Sequence, residues 1–421
     1  MWRGFWGVRM PELRQPVWIN AEDVPQLPEG WRSLRTAEAC IQLKPGKLFD
    51  SKTISERGHI PVLNQSETGF FGYHDEEPGV TASPEAPVVT FANHTCAMRL
   101  MTQPFSSIQN IFPKVGKPGV TETIYFYYAT LGRVALSDYK GHHPVFRQAY
   151  IPIPPLPIQR RIADILSAYD KLIENCQRRI QILEQMARAL YREWFVKFRY
   201  PGHQSVPLVP SPLGEIPQGW SVRRVGDVAD VLRGRSYRSA DLVETGGLPF
   251  LNLKCLDRDG GFRRAGLKRY SGDFKPHHVA KKGDIVMAVT DMTQERRIVA
   301  RAALVPTLDN DFGILSMDLV RIESKPGVPT AFLYALLRFS SFADEVKQHA
   351  NGANVLHLAP DRISEYQSPM PGEALMAEFA RYVEPLSELS DQLHNKMQVL
   401  RSARDLLLPR LISGQIDLDA A

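Results

Sequence analysis

The sequence lacks the motifs by which the commonest enzymes are recognised. There is no Gly-x-x-x-x-Gly-Lys-Ser/Thr phosphate loop, no Gly-x-Gly-x-x-Gly after a strand, no Gly-x-Ser-x-Gly elbow and no His-Glu-x-x-His helix. The Asn/Asp-Pro-Pro-aromatic signature of amino-methyltransferases is also missing. The sequence therefore offers no active site of these kinds.

Cysteines and long apolar runs are scarce as well. Four cysteines (Cys40, Cys96, Cys176 and Cys255) are far apart and form no Cys-x-x-Cys pair, so no metal site is predicted. No run of 18 apolar residues is present, and the N-terminus lacks the continuous apolar core of a signal peptide. These features predict a protein of the reduced cytoplasm without membrane contact.

The sequence does contain a long stretch without proline or glycine, at residues 158–198. Apolar residues recur there every seven positions in two adjacent stripes, which predicts one long helix with a coiled-coil-like seam. At 1.5 Å per residue such a helix is about 60 Å long. The stripes are Ile162, Tyr169, Cys176, Leu183 and Leu190, and Leu166, Ile173, Ile180, Ala187 and Trp194.

The chain also repeats itself after about 190 to 200 residues, which predicts a duplication of one mixed α/β unit followed by a long helix. A second heptad stripe, Phe379, Leu386, Leu393, Leu400 and Leu407, follows the second copy. The matching segments are Gly30-Trp31 with Gly219-Trp220, Pro61–Asn64 with Pro249–Asn252, Val88–Asn93 with Ile285–Thr290, and Phe126–Leu131 with Phe332–Leu337.

Prolines set the predicted boundaries. Pro385 lies inside the second stripe and predicts a kink or a separate first helix, and Leu408-Pro409 predicts its end. The predicted organisation is an irregular extension at 1–24, a first globular domain at 25–153, a central helix at 154–200, a proline-rich linker at 201–215, a second globular domain at 216–368, and a distal helix with tail at 369–421.

The second globular domain is the basic one. Residues 216–301 contain 17 Lys and Arg against 10 Asp and Glu, a balance of +7, whereas residues 25–150 contain 12 against 11, a balance of +1. Lys and Arg neutralise phosphates, while Arg, Asn and Gln read base edges. For any single residue an ordinary solvated loop is the favoured interpretation, but the clusters together favour contact with nucleic acid.

The candidate DNA-binding residues of the first domain are Lys44, Lys47, Asn64, Gln65, Asn93, His94, Thr95, Lys114, Lys117, His142 and His143. Those of the second domain are Arg233, Arg235, Arg238, Asn252, Lys254, Arg263, Arg264, Lys268, Arg269, Thr290, Asp291, Thr293, Gln294, Arg296 and Arg297.

Two patterns could indicate a nuclease site or a metal site, but an ordinary helix face and ordinary loop histidines are favoured. Glu345-Val346-Lys347 loosely fits a nuclease Glu-x-Lys motif, but it lies on a predicted helix without the strand pair that such a site needs. The doublets His142-His143 and His277-His278 have no further ligands at metal-site spacing, so loop histidines are favoured.

Taken together, three features resemble the DNA-specificity subunit of type I restriction–modification systems. They are the start of the central helix from Pro154 to Leu166 (PPLPIQRRIADIL), the Gly-Trp entry to each half, and the C-terminal segment from Arg404 to Ile416 (RDLLLPRLISGQI). Gly226-Asp227-Val228 also fits the family's entry to its second half. The match covers about residues 25–421.

The resemblance implies an α/β (α+β) fold with two tandem-repeated target-recognition domains, separated by two long antiparallel coiled-coil-like helices in a pseudo-two-fold arrangement. Each domain would read one half of a bipartite, asymmetric site in double-stranded DNA, and the helices would set the gap. Two modification subunits would supply S-adenosylmethionine and methyl transfer, and motor–nuclease subunits would supply ATP and Mg-dependent cleavage. The chain itself would be non-catalytic, with no cofactor or metal of its own.

The resemblance also implies that the helices dock the methyltransferase subunits. Trp194, Phe195 and Phe198 are the candidate docking residues, although packing within the chain is favoured for each. Two alternatives stay open: a stand-alone nuclease that uses the Glu-x-Lys motif, and a coiled-coil scaffold that does not bind DNA.

Overall fold

The computed structural model describes residues 15–66, 69–134 and 141–418. The chain divides into two compact units, Met1–Asn175 with Met397–Ala421, and Cys176–Lys396. Residues 1–14, which belong to the predicted N-terminal extension, lie outside the described residues.

The first unit begins with short strands and ends in a long helix. Its strands are β1 (Arg32–Arg35), β2 (Cys40–Gln42), β3 (Ile60–Leu63), β4 (Gly72–His74), β5 (Val88–Ala92), β6 (Met98–Met101), β7 (Ser106–Ser107), β8 (Ile111–Gly116) and β9 (Tyr150–Ile153). Its helices are α1 (Thr36–Ala39), α2 (Thr123–Thr130), α3 (His143–Gln148) and the first half of α4 (Leu156–Tyr191).

The second unit has more strands but the same plan. Its strands are β10 (Leu208–Ser211), β11 (Gly214–Pro217), β12 (Ser221–Arg224), β13 (Ala229–Arg233), β14 (Leu242–Val243), β15 (Leu248–Leu251), β16 (Lys268–Tyr270), β17 (Val279–Lys281), β18 (Ile285–Ala288), β19 (Thr290–Asp291), β20 (Ala302–Leu304), β21 (Phe312–Leu315), β22 (Leu319–Ser324), β23 (Leu356–His357) and β24 (Gln367–Met370). Its helices are α5 (Val225–Val228), α6 (Thr330–Phe339), α7 (Phe342–Val346), α8 (Pro360–Glu365) and the first half of α9 (Glu373–Ile412).

The two units share one topology. The main sheet has the order β2-β8-β5-β6 in the first unit and β13-β22-β18-β20 in the second. A parallel pair recurs in a second sheet of each unit, β3 with β7 and β15 with β21. The first and last strands pair antiparallel in both, β1 with β9 and β12 with β24. This correspondence confirms the duplication and the mixed α/β fold predicted from the sequence.

Burial explains why the central strands form. Every residue of β5 and of β18 is buried, as expected for a continuous apolar run in the middle of a sheet. Helix α2 contacts β5, β6 and β8, and α6 contacts β20 and β22, so each main sheet is covered by its own helix. One core of each unit therefore lies between its main sheet and the helices, and a second cluster packs the main sheet against the smaller sheet.

Both predicted long helices are present, and α4 is extended by a π-helical turn at Arg192–Val196. The prediction of a separate helix before Pro385 is wrong, because α9 continues from Glu373 to Ile412, and Pro409 does not end it either. A proline inside a helix costs about 3 kcal/mol. Val383 and Leu386, which flank Pro385, pack in the core of the second unit, and this burial holds the helix through the proline.

Within the first unit, the beginning of α4 packs against the end of α9. Ile162 and Leu166 share a core cluster with Leu408 and Leu411, and each of the four is at most 2 % exposed. Farther along α4, Asp170 accepts a hydrogen bond at 2.5 Å from Arg404, which is 4 % exposed. The two segments therefore run antiparallel in this unit.

Within the second unit, the end of α4 packs against the beginning of α9. The ring of Phe379 lies 6.1 Å from Tyr191, 5.9 Å from Trp194 and 4.9 Å from Phe195. These rings belong to the same cluster as Phe332 of α6. The apolar stripes predicted from the sequence therefore face the cores.

Two segments predicted to be irregular are structured. Residues 201–215, the predicted linker, lead into an antiparallel hairpin of β10 and β11. In the described part of the N-terminal extension, the Gln15 N–H donates to the carbonyl of Gly132, and the guanidinium of Arg133 stacks 4.3 Å from the Trp18 ring. This segment is thus packed on the first unit.

The ion pair between Asp170 and the buried Arg404 predicts a large loss of stability when it is broken. Asp170→Ala leaves the buried Arg404 with Asp405 as its remaining carboxylate partner and removes the acceptor of the Tyr128 hydroxyl at 2.6 Å. We expect a loss of about 3 kcal/mol in urea unfolding followed by circular dichroism. Arg160→Ala is the control, because the Arg160–Glu122 pair is solvent-exposed and should change stability by less than about 1 kcal/mol. Equal losses in both variants would contradict the expectation.

Candidate nucleic-acid interface

The strand directions in each main sheet bring several of the predicted loops to one edge. In the first unit β2 and β5 end where β8 begins, because β8 is antiparallel to both. In the second unit β13 and β18 end where β22 begins. We call this side of each unit its loop edge.

In the first unit the loop edge joins four polar segments. The Asn93 N–H donates to the Asn110 carbonyl at 2.9 Å, and the Asn93 carbonyl accepts from the His142 N–H at 3.0 Å. Gln65, which follows β3, accepts through its side chain from the His94 N–H at 2.9 Å, and the Thr95 hydroxyl donates to its carbonyl. The predicted residues Asn93, His94, Thr95, Gln65 and His142 are therefore brought together.

Asn64 lies at the start of the same segment. Its side chain accepts from the Ser66 N–H at 3.1 Å and hydroxyl at 2.5 Å, and the Arg99 guanidinium donates to the Gly69 carbonyl at 2.7 Å. Lys44 and Lys47 follow β2 and are exposed, and Lys47 pairs with Glu76 at 2.6 Å. These contacts order the loop backbone, while the side chains of the two lysines remain at the surface.

In the second unit the equivalent segments meet in the same way. The Val289 N–H donates to the Asp318 carbonyl at 2.9 Å, as Asn93 does to Asn110 in the first unit. Arg233 is the last residue of β13 and is exposed, and Arg235 donates through Nε to the Tyr270 hydroxyl at 2.7 Å. A Cβ on Gly234 would lie 2.0 Å from the Ser316 carbonyl oxygen, so the close approach of the two backbones requires glycine there.

Asp291 anchors the loop that follows β19. It is 1 % exposed, and its carboxylate accepts from the N–H and hydroxyl of Thr293 at 2.9 Å each and from the N–H of Ile298 at 2.8 Å. Burial alone would raise the pKa of Asp291, but these hydrogen bonds outweigh it and hold the pKa below its ordinary value. Asp291 and the buried Thr290 are therefore structural residues rather than surface contacts.

The rest of this loop is held against the segment after α7. Gln294 donates to the Ala353 carbonyl at 3.0 Å, and Arg296 donates to Gln348 and to the Ala350 carbonyl at 3.4 Å each. Arg296 has φ of +51°, and its Nε is buried without a hydrogen-bond partner in the described part of the chain. Arg297 is exposed and pairs with Glu295.

The loop edge of the second unit also presents residues that the sequence analysis missed. Met292 is 67 % exposed and Met317 is 51 % exposed, and both lie in segments joined by the Val289–Asp318 hydrogen bond. In the first unit Gln109 and Asn110 occupy the turn before β8, and Asn110 has φ of +64°. The polar character of the turn is the one sequence feature that could have indicated Gln109 and Asn110. No sequence feature indicated that the two methionines are exposed.

Other predicted residues lie at the far end of β8 or outside the main sheet of the second unit. Lys117 follows the far end of β8, and its N–H donates to the Ala39 carbonyl at 3.0 Å. Arg264 pairs with Asp391 of α9 at 2.5 Å, and Arg269 pairs with Asp309. Arg238 is exposed beside Asp241, and Lys254, Arg263 and Lys268 are exposed in or near the turns between β15 and β16.

Asn252 is a capping residue instead of a surface contact. It is 7 % exposed, its side-chain oxygen accepts from the Lys254 N–H at 2.9 Å, and its Nδ2 donates to the Gly266 carbonyl at 2.9 Å. A Cβ on Gly266 would lie 1.9 Å from the Lys254 carbonyl oxygen, so this glycine serves packing within the unit. The expectation that Asn252 lies open to a ligand is wrong.

Lys114 and His143 are also not loop residues. Lys114 lies in β8, is 2 % exposed, and donates to the Gln42 side chain at 3.1 Å. His143 begins α3, stacks on Phe112 at 3.7 Å, and lies 3.0 Å from the Lys114 ammonium through Nε2. His142 is 4 % exposed. The expectation that Lys114 and His142 are surface residues is wrong because the sheet and helix bury them.

The predicted docking residues are core residues of the second unit. Trp194 and Phe195 are 6 % and 7 % exposed, and Phe198 lies 5.3 Å from the Trp220 ring. The packing within the chain that the sequence favoured is therefore confirmed for Trp194 and Phe195, and Phe198 is partly buried against the same core. On the long helices the exposed apolar side chains include Met186, Val399 and Leu406, at 51, 68 and 66 %.

The Glu-x-Lys motif has no nuclease geometry. Glu345 lies on helix α7, and Lys347 pairs with Asp344 at 2.6 Å, which also accepts from Arg301 at 3.1 Å. Among the described residues, no group of three or more His, Cys, Asp or Glu is placed to hold a metal. Within the same residues, none of the helices has the length and apolar character to cross a bilayer.

Comparison with known proteins bears on the remaining hypotheses. Residues 28–185 match the family described as type I restriction modification DNA specificity domain. This match bears out the resemblance predicted from the sequence, and residues 28–185 carry a type I DNA specificity domain. A domain of this family gives DNA sequence specificity, which argues against a scaffold that does not bind DNA.

Similar proteins are described as type I specificity subunits, and the similarity extends over much of their length. The chain is 26 % identical to the MjaIX specificity subunit of Methanocaldococcus jannaschii over 331 residues, which cover 74 % of this chain and 72 % of that protein. It is 25 % identical to the MjaVIII specificity subunit of the same organism over 280 residues, which cover 65 % and 63 %. The crystal structure of a type I S subunit from M. genitalium shares its fold, with a TM-score of 0.59, 15 % identity and coverage of 96 % of this chain and 99 % of that one.

Type I specificity subunits are the non-catalytic components of their complexes, which agrees with the non-catalytic role predicted from the sequence.

The anchoring of the loop after β19 by Asp291 predicts a particular acid sensitivity. The folded pKa of Asp291 is depressed, so its contribution to stability is complete above its unfolded pKa of 3.8 and is lost as pH falls through the lower folded pKa. Asp291→Asn should lower stability at pH 7 by about 2 kcal/mol. Its loss of stability below pH 4 should be shallower than in the parent. Thermal unfolding between pH 2.5 and pH 7 tests this, with the exposed Asp309→Asn as control; parallel pH curves for Asp291→Asn and the parent would refute it.

Proposed function

We propose that this chain is the specificity subunit of a type I restriction–modification complex, in which each unit reads one half of a bipartite, asymmetric site in double-stranded DNA. The observation that carries the proposal is the pair of loop edges. One topology occurs twice, and each copy presents at the same edge a set of ordered loops with exposed polar side chains.

The unlike side chains at the two loop edges support an asymmetric site. The first unit offers the exposed Thr95 and the half-buried Asn93 and His94, whose hydroxyl, amide and imidazole groups suit mixed donor–acceptor contacts. The second offers Arg233 and Arg297, whose guanidinium groups suit guanine and phosphate. We propose these residues, with Gln294 and Thr293, as the DNA contacts.

We propose that α4 and α9 set the gap between the half-sites. Each is a continuous helix that contributes to both units, and helices of 36 and 40 residues are about 54 and 60 Å long. We also propose that two modification subunits dock on these helices, and the exposed apolar residues Val399 and Leu406 offer them a surface. The modification subunits would bring S-adenosylmethionine, and motor–nuclease subunits would bring ATP and Mg²⁺.

The test is the methylation pattern of cells that carry the complete system. Sequencing that detects methylated adenine should reveal one bipartite motif that disappears when this chain is deleted. If deletion leaves every methylated motif in place, the chain does not direct the modification.

A change in helix length should alter the gap and not the half-sites. Deletion of one heptad from each helix, near Cys176 and near Met397 where the helices pass from one unit to the other, removes about 10 Å, or about three base pairs. A heptad preserves the apolar stripes. We expect methylated sites with the same half-sites and a gap shorter by about three. A variant that keeps the original gap while still methylating would refute the proposed role of the helices.

The loop-edge charges should contribute to DNA affinity through phosphate contacts. For the assembled modification complex, Arg233→Gln and Arg297→Gln should each reduce the slope of log affinity against log salt by about one. Lys282→Gln is the matched control, because Lys282 precedes β18 and lies at the opposite edge of the same sheet. An effect of the control equal to that of the two arginine variants would show that the loop edge is not the interface.

A further inference from the structure

A buried lysine in the first unit lies in a small pocket to which the proposed function assigns no role. The Lys114 pocket has a volume of about 290 Å³, and the residues that line it are Thr36, Ala37, Cys40, Gln42, Lys114, Phe146 and Arg147. The Lys114 ammonium donates to the Gln42 side-chain oxygen at 3.1 Å, lies 3.0 Å from His143 Nε2, and lies 5.6 Å from the centre of the Phe146 ring. It is held in place by neutral groups.

The charges around this lysine are of one sign. Arg147 lies on the same pocket, and its charge adds to the lowering of the pKa of Lys114 and His143 that burial causes. Burial, with the help of these charges, lowers the pKa of His143 to about 4, so the imidazole is neutral and accepts from the ammonium. No carboxylate contacts Lys114 in the part of the chain that the structure describes. Buried cations are normally paired with an anion, and this one is not.

The second unit shows that the fold does not need a lysine at this position. Gln42 is paired with Lys114 between β2 and β8, and Val231 is paired with Ile322 between β13 and β22 at the matching register. Ile322 is 2 % exposed. The same topology is thus completed there by apolar side chains, which cost less to bury than a charge.

The other side of the Lys114 pocket, formed by α3, also carries a cation that the second unit lacks. The Thr36 N–H donates to the Ala149 carbonyl, and the Val225 N–H donates to the Tyr366 carbonyl, so α3 matches α8. By this register Ser364 occupies the position of Arg147. One copy of the unit has therefore gained two cations around a pocket, and the other copy has none at those positions.

We propose that the Lys114 pocket binds one small tetrahedral oxyanion, of sulfate or phosphate size. The Lys114 ammonium and the Arg147 guanidinium supply the opposite charge. The Gln42 amide supplies a neutral donor, because its oxygen is taken by Lys114 and its Nε2 is left to face the ligand. The oxyanion comes either from solution or from a phosphate of bound DNA, and these two sources are separable by experiment.

The probe is sulfate, because it does not titrate near neutral pH. Sodium sulfate is added to the whole chain without DNA, at an ionic strength kept constant with chloride, and the melting temperature is followed by intrinsic fluorescence. We expect a saturable rise of about 3 °C at ten times the dissociation constant. Lys114→Met and Arg147→Gln should weaken this binding at least about 10-fold, as expected for loss of a charged hydrogen bond. Lys117→Met, an exposed lysine three residues from Lys114, should leave it unchanged.

The pH dependence gives a second measurement. Burial lowers the pKa of Lys114 to about 8, so sulfate binding should weaken as pH rises through 8 and the ammonium loses its charge. The other titratable and charged groups that face Lys114 are Cys40 from β2 and His143 and Arg147 from α3. His143 is already neutral at these pH values, and the pKa of Cys40 is raised by burial.

The possible results of these measurements lead to different conclusions. A sulfate effect that is equal in the parent, Lys114→Met and Arg147→Gln is a general salt effect and overturns the proposal. Arg147 is exposed, so its substitution decides the matter even if Lys114→Met does not fold. If sulfate binds and Arg147→Gln also reduces the salt slope of DNA affinity, the oxyanion is a DNA phosphate. If that slope is unchanged, the ion comes from solution. Failure of DNA reading would leave the sulfate result intact, because the titration contains no DNA.

Discussion

Each long helix is buried at both of its ends, and the rest of the molecule depends on this constraint. The first turns of α4 bury Ile162 and Leu166 in the core of the first unit, and its last turns bury Tyr191 in the core of the second. Isolated helices have little stability of their own, so burial at each end is what fixes them. The number of residues between the two burial sites is then a fixed property of the helix, which is the physical requirement for a spacer.

The duplicated sheet separates the parts of the chain that make the core from the parts that are free to vary. Strand bodies such as β5 and β18 are buried throughout, whereas the segments at the loop edge are polar and are ordered by backbone hydrogen bonds. Asp291 shows how this order is obtained, because one buried carboxylate holds several donors of the loop. Loops that are ordered before binding lose less entropy when they meet a ligand. New side chains can therefore be presented at the edge without repacking the sheet.

The sequence predicted the repeat, the two helices and the family. The repeat and the helices depend on periodicity, and the family depends on short motifs that occur in a fixed order. The individual site residues were harder, since one residue type serves several purposes. Asn252 and Asp291 have the same side chains as base-reading residues, but they cap turns inside the unit. Lys114 has the side chain of a typical phosphate contact, but it is buried in a strand. The prediction of a helix break at Pro385 was wrong for a different reason. The helix around it is stabilised by tertiary packing, which no local sequence pattern indicates.

Comparison of the two copies within one chain distinguishes what the fold requires from what is specific to each unit. Phe126 and Phe332 occupy matching helices and are both at most 1 % exposed, so the fold itself accounts for them. Lys114 and Ile322 occupy matching strands and differ in charge while both stay buried. A buried charge is costly, and the second copy demonstrates that an apolar residue suffices. The lysine is therefore explained by a property of the first unit that its twin does not share, and the cation-lined pocket around it is where that property lies.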